Sequence, residues 1–153
     1  LDMRDMLRVF KEENLSEFFY YQESSAWKYV LKYVAIDFYD GSIMYDFANG
    51  KTTICDIDLF HKQPCVNDIG RMWGSSRFQS PEEYQLGADI DEITNVYTLG
   101  ATAFALFGEY NRIREKWQLN DKLFEIATRA VSDDRANRQQ TIKQFTAEWE
   151  AAQ

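Results

Sequence analysis

Proline and glycine are scarce in this 153-residue chain, at two and seven residues. So few breakers exclude a collagen-like or linker-rich chain and argue against disorder. Two cysteines, Cys55 and Cys65, lie ten residues apart with no CxxC pair. That excludes a disulfide framework and reads as two free thiols in a reducing compartment. The single histidine, His61, leaves too few soft ligands for a zinc site. Basic excess is absent: 17 Lys and Arg face 25 Asp and Glu, a formal net charge of −8. An acidic chain repels phosphate backbones and anionic membranes, so neither nucleic acid nor a membrane surface is an expected partner. No run of 18 apolar residues occurs, and no basic stretch leads into an apolar one as in a secretory signal. The expected location is cytoplasmic. The chain starts at Leu1 rather than Met, which reads as a fragment whose N-terminal part lies upstream.

What is present is globular: 45% hydrophobic, 16% aromatic and 27% charged residues. At this length one domain is expected, with a core able to remove roughly 68–70% of the unfolded surface from water. Met3, Met6, Leu7 and Phe10 share a helical face with Asp2 as N-cap, and Leu15–Tyr21 starts a second aromatic segment. Trp27, Val30, Leu31 and Val34 then repeat at i, i+3, i+4, i+7, a buried helical stripe. After Asp37 the period changes. Residues 43–47 and 52–55 are β-rich runs around Asn49-Gly50, a pair that tolerates positive φ, so a hairpin is expected over 43–55. Residues 58–92 lack periodicity and hold Gly70, Gly74, Gly87 and both prolines. A loop of that length in a compact domain is usually functional. Residues 93–107 are apolar nearly all round, predicting a helix buried on most faces. Amphipathic helices follow over 121–131, with Leu123, Ile126, Ala127 and Ala130 inward, and over 141–149, with Ile142, Phe145 and Trp149 inward.

The chemistry-bearing residues are carboxylates at turns. Phosphoryl transfer asks little else of a protein: carboxylates that hold Mg²⁺ on the phosphates, and one that orients the attacking hydroxyl. Asp37 reads as ending a helix before the hairpin and Asp56 as leaving it, so the hairpin between them can bring both to one end. Asp58 places a third carboxylate beside Asp56. The plainer alternatives are that Asp37 is only a loop residue and that Asp56 and Asp58 form a solvated turn. Asp40 before Gly41 reads as a turn former. Arg71 and Arg77 read as solvated loop residues, His61 as a surface residue, and Trp27, Trp117 and Trp149 as packing. Trp73 suits either a binding surface or a fold-back onto the domain.

The order of these segments resembles the C-lobe of eukaryotic-type Ser/Thr protein kinases. Ala35-Ile36-Asp37-Phe38 aligns with H-R-D-L, and Ser42 stands where that motif has Asn. Asp56-Ile57-Asp58 aligns with D-F-G, Gly74-Ser75 with the Gly-Thr pair of the substrate-binding loop, and Pro81-Glu82 with the end of A-P-E. Residues 91–100 look like the buried helix with a D-x-x-x-L-G pattern. The resemblance covers roughly residues 15–150. It implies a mainly α fold with a small β-hairpin, a kinase C-lobe lacking its N-lobe, as one domain over 1–153. Within it fall a catalytic loop at 35–44, a metal loop at 56–58 and an activation segment at 56–82. It implies ATP and Mg²⁺ as cofactors of the intact protein and a protein substrate. Asp37 would orient the hydroxyl with Ser75 as its hydrogen-bond partner. Asp56, Ser42 and Asp58 would face metal and nucleotide. Glu82–Arg138 would be a structural ion pair, and Asn95 would stand where the family has the Asp that anchors the catalytic loop. Tyr84 to Gly87 would follow the substrate-docking loop.

Departures from the family pattern are several. Ile36 replaces the Arg that reads activation-loop phosphate, Tyr39 a phosphate-contacting Lys, and Asp58 the flexible Gly. No G-x-G-x-x-G and no V-A-I-K precede the C-lobe. The expected activity is therefore transfer of the ATP γ-phosphate to a protein hydroxyl in a longer parent chain that also supplies the N-lobe, with the fragment alone inactive. The alternatives are a pseudokinase serving as an interaction module and a small-molecule kinase of the aminoglycoside type. The segment ending Ser80-Pro81-Glu82 disfavours the second. Oligomeric state is not readable from the sequence.

Overall fold

The computed structural model describes residues 33–49 and 51–153. The segments expected to be helical between residues 2 and 32 lie outside them. Within the described residues the chain is mixed α/β, with three α-helices and three antiparallel strand pairs.

Helix α1 (Glu92–Phe107) is the buried run expected over 93–107, and every residue from Thr94 to Phe104 is buried. Its start follows from Asp91, whose side chain accepts from the Ile93 N–H at 2.8 Å, while Thr94 reaches back to the Asp91 N–H. This reciprocal cap satisfies donors that a helix start otherwise leaves orphaned. Helix α2 (Asp121–Ala130) is capped by Asn120 and buries Leu123, Ile126, Ala127 and Ala130, the stripe read from the sequence. Helix α3 (Ile142–Ala151) is capped by Thr141 and buries Ile142, Phe145 and Trp149. The three helices close around an aromatic cluster. Trp117 lies 5.2 Å from Phe104, 5.8 Å from Phe124 and 6.3 Å from Trp149, ring to ring, and Phe145 stacks on Trp149. Each such fully buried ring contributes about 1.5–3 kcal/mol by leaving water.

The strands precede and flank α1. Strand β1 (Tyr33–Ala35) pairs with β4 (Phe60–Lys62), with Ala35 opposite Phe60. Strand β2 (Ile43–Asp46) pairs with β3 (Lys51–Ile54), with Ile43 opposite Ile54. Strand β5 (Cys65–Val66) pairs with β6 (Asp89–Ile90).

Two expectations are corrected here and a third is met. Val34, read on a helical stripe, lies in β1, so Asp37 follows a strand rather than a helix. A strand partner 27 residues on, His61 against Val34, cannot be seen in a local period. The hairpin expected over 43–55 forms, with Asp46 opposite Lys51 at its closed end. The Asp46 carboxylate accepts from the N–H groups of Ala48 and Asn49 and from the Asn49 side chain, which stabilises the connection. The stretch 58–92 is not one open loop. It carries β4, β5, β6 and a 3₁₀ turn at Pro81–Tyr84. A second apolar cluster of Val34, Ile36 and Ile90, joined by Leu59, Cys65 and Met72, seats it beside β1.

Candidate functional site

Asp37 and Asp56 occupy loops that are tied together at both ends. Ala35 opposite Phe60 closes one end, and Ile43 opposite Ile54 closes the other. Between these ties run residues 36–42, with Asp37, and residues 55–59, with Asp56. Both aspartates adopt the left-handed conformation, at φ 59° and 60°. Asp tolerates this region better than most residues, but not freely. Two non-glycine residues held this way in paired loops are a departure of the kind that collects at functional sites. Neither carboxylate accepts a hydrogen bond or enters an ion pair within the described structure, so neither is consumed by a structural partner. Asp37 is half-buried; Asp56 and Asp58 are exposed.

Gly74 lies against Asp37. Its φ is +136°, and a Cβ there would stand 3.3 Å from the Asp37 Cα and 3.4 Å from its Oδ1. A side chain would crowd the candidate carboxylate. The approach is fixed by buried Gln79, whose amide donates to the carbonyls of Met72 and Trp73 at 2.8 and 3.1 Å while Tyr84 donates to its oxygen. Phe78, also buried, packs edge-on against Tyr39. Ser75 makes no hydrogen bond to Asp37, contrary to the expected role. Its carbonyl accepts from the N–H groups of Phe78 and Gln79, and it is the preceding glycine that touches the aspartate.

Ser42 is the other correction. It has no exposed surface, and its Oγ lacks a hydrogen-bond partner. Its backbone ties the root of the hairpin, donating to Tyr39 and accepting from Cys55. A hydroxyl enclosed there is not presented to a metal at the surface. Among the described residues no three His, Cys, Asp or Glu side chains converge to hold a metal ion, so Asp37, Asp56 and Asp58 do not form a three-carboxylate cluster.

The supports of the site are well defined. Asn95, on α1, accepts from the Ala35 N–H at 2.8 Å and donates to the Tyr33 carbonyl at 2.9 Å, so the central helix holds the strand that leads into Asp37. Glu82 is buried and meets Arg138 in a two-pronged pair, Nη1 to Oε1 at 2.7 Å and Nη2 to Oε2 at 2.9 Å. Arg138 also lies over the Tyr97 ring, at 4.9 Å. Thr94 and Arg135 add hydrogen bonds to Glu82 Oε1, and Arg135 forks onto Asp91. Burial pushes the Glu82 carboxyl up, but the Arg138 hydrogen bonds and the two guanidinium charges outweigh it and hold it below its ordinary range. Its neighbour Glu83 goes the other way. Burial raises it to about 7, against the opposing pull of hydrogen bonds from the Ser80 N–H and hydroxyl.

Sequence reading missed Arg135, Glu83, Gln79 and Asn67. Asn67 is fully buried; it accepts from Ile69 and Gly70 and donates to the carbonyls of Gly70 and Glu82. A buried polar residue in a stretch without periodicity leaves no local signal. The only hint was the density of Asn, Gln and Gly between two short apolar runs.

The remaining candidates lie elsewhere. His61 is exposed on β4, Arg71 and Arg77 are exposed, and Trp73 is 69% exposed rather than folded back. Cys55 and Cys65 are free thiols. Among the described residues no helix is long and apolar enough to cross a membrane. No family model and no curated protein matches this chain.

Proposed function

We propose that this chain is the C-lobe of a protein-kinase-like phosphotransferase, one that moves the ATP γ-phosphate to a protein Ser or Thr hydroxyl once a parent chain supplies the N-lobe. The observation that carries the reading is the pair of strand-tied loops offering Asp37 and Asp56, both left-handed and both without structural partners. The supports agree with it: Asn95 on the Ala35 backbone, and the buried Glu82–Arg138 pair that ties the end of the 58–82 stretch to the helices.

In this reading Asp37 accepts the hydrogen bond of the substrate hydroxyl and aims its oxygen, with Gly74 leaving room beside it. Asp56 is the metal-facing carboxylate. Mg²⁺ takes hard oxygen ligands and keeps several waters, so one or two protein carboxylates suit it. The exposed Asp56 fits that donor set, with Asp58 two residues away; the enclosed Ser42 does not. Bound Mg²⁺ would neutralise charge on the nucleotide phosphates.

Ser42 also favours the second reading, a pseudokinase used for binding. Without a ligand at that position the second metal of the family has one contact fewer.

The deciding experiment uses the parent chain with its N-lobe, measuring Mg²⁺–ATP binding and phosphate transfer to a generic protein substrate separately. Asp37→Asn is expected to lower turnover about 10²–10⁴-fold, the usual worth of a positioned base, with nucleotide binding nearly unchanged. Asp56→Asn is expected to weaken binding as well as rate. A wild-type parent that neither binds Mg²⁺–ATP nor transfers phosphate overturns the enzyme reading in favour of the pseudokinase.

A further inference from the structure

The turn after α1 holds the least expected backbone in the described structure. Glu109 and Tyr110 are both left-handed, at φ 50° and 61°, and the Asn111 N–H closes the turn onto the Gly108 carbonyl at 2.8 Å. Two successive positive φ values define a turn that Gly, Asn or Asp fills with little strain. A glutamate and a tyrosine fill it here.

Their side chains give the reason. Glu109 pairs with Lys116, but both are exposed, and such pairs contribute little. Tyr110 does more. Its hydroxyl donates to Asp40, 70 residues earlier, in the loop that carries Asp37. Its ring lies under the Arg77 guanidinium, 5.0 Å from centroid to Cζ, in the stretch that carries Gly74. One strained, 48% exposed tyrosine therefore links the Asp37 loop and the Gly74 stretch to the end of the central helix.

The charges around it are uneven. Arg112 donates to the Arg77 carbonyl at 3.3 Å and to the Tyr97 hydroxyl at 3.0 Å. Neither Arg77 nor Arg112 enters an ion pair among the described residues. One guanidinium without an anionic partner, that of Arg77, thus lies over the phenol ring, a carboxylate accepts from its hydroxyl, and a second such guanidinium, that of Arg112, reaches the Arg77 backbone.

We infer that Tyr110 is a phosphorylation site, a latch whose modification swings the ring end from Asp40 to Arg77 and frees the 37–42 loop. The step is a transfer in trans from ATP. The Tyr110 Oη–phosphorus bond forms, the bond from the γ-phosphorus to its bridging oxygen breaks, the phenolic proton passes to the modifying kinase's base, and ADP leaves. A phosphate near −2 is repelled by Asp40, can no longer donate to it, and takes strong hydrogen bonds from the Arg77 guanidinium. The effect on catalysis rests on the phosphotransferase reading above; the latch itself does not.

The test treats the full chain with a broad-specificity tyrosine kinase and ATP, maps phosphate by mass spectrometry and follows amide hydrogen exchange. Phosphate is expected on Tyr110. The amides of Ser42 and Ile43, which close the turn at Asp40, should exchange about fivefold faster, the scale of one net hydrogen bond lost. The amides of Phe78 and Gln79, beside Arg77, should slow. Tyr110→Phe should reproduce the first change without the second, and Arg77→Gln should abolish the slowing in the phosphorylated chain. A chain left unmodified at Tyr110, or modified with both sets of amides unchanged, overturns the inference. A parent chain that fails to bind Mg²⁺–ATP overturns the phosphotransferase reading and leaves these exchange results standing.

Discussion

Two adjacent glutamates are asked for opposite things. Glu82 is held ionised by Arg138 and Arg135, while Glu83 is enclosed with only Ser80 to hydrogen-bond it. Their pH signatures differ in sign. Glu82, with its carboxyl below the unfolded value of 4.5, contributes stability present above that value and lost as pH falls through its folded one. Glu83, raised to about 7, binds its proton more tightly folded than unfolded. Its contribution is present below pH 4.5 and is lost as pH rises to about 7, a change on the order of 3 kcal/mol. Glu92, also raised by burial, adds to the same falling limb. Urea denaturation across pH 4.5–8 should therefore show stability falling toward neutrality. Glu83→Gln should flatten much of that fall, and an unchanged slope in the variant would refute the assignment. In the same assay Arg138→Met should cost roughly 3–5 kcal/mol, since it strands a buried carboxylate. Arg135→Met should cost far less, because Arg135 keeps 28% of its side-chain surface in water.

Between elements, close approach decides more than propensity does. Gly100 faces α2, where an added Cβ would stand 2.7 Å from the Ala130 Cβ and 3.1 Å from the Ala127 carbonyl oxygen. Alanine is the better helix former by about 1 kcal/mol, yet Gly100→Ala should lower stability by roughly 1–3 kcal/mol, because both contacts are on a packed helix. A thermal melt that rises in this variant would refute the argument. The hairpin root makes a second case. Family analogy suggests that Ser42→Asn would restore a ligand and be neutral or better. The enclosure of Ser42 reverses that expectation: the larger side chain overpacks the root, with an expected loss of about 1–3 kcal/mol in the same melt.

For the whole molecule, the helical half was largely legible in the sequence and the site was legible only in part. α1, α2 and α3 appear where the hydrophobic period puts them, because that signal is local. Asp37 and Asp56 could be named from spacing and motif order, and so could the Glu82–Arg138 pair. The strand before Asp37 was misread, since Val34 finds its partner 27 residues on and three residues are too few to show a period. Ser75 and Ser42 were assigned by alignment alone. Alignment carries a residue's position but neither its burial nor its direction. Gly74→Ala probes this long-range assembly. Its strained φ and the nearness of Asp37 predict a site loop pushed outward, read as faster exchange at the Phe78 and Gln79 amides than in the wild type.

The sequence by itself determined the class of chain: an acidic, breaker-poor domain with three helices, a hairpin, and carboxylates on either side of it. Those features depend on neighbours within a turn or two, where spacing translates directly into a face or a cap. Tertiary structure alone decided which polar groups were enclosed and which were left free. Glu83, Asn67 and Ser42 are buried because strands and turns distant in sequence close over them. Asp37 and Asp56 stay without partners because two ladders hold their loops in left-handed turns. Tyr110 meets Asp40 across 70 residues of chain. Burial is a property of the packed whole, and no local pattern encodes it.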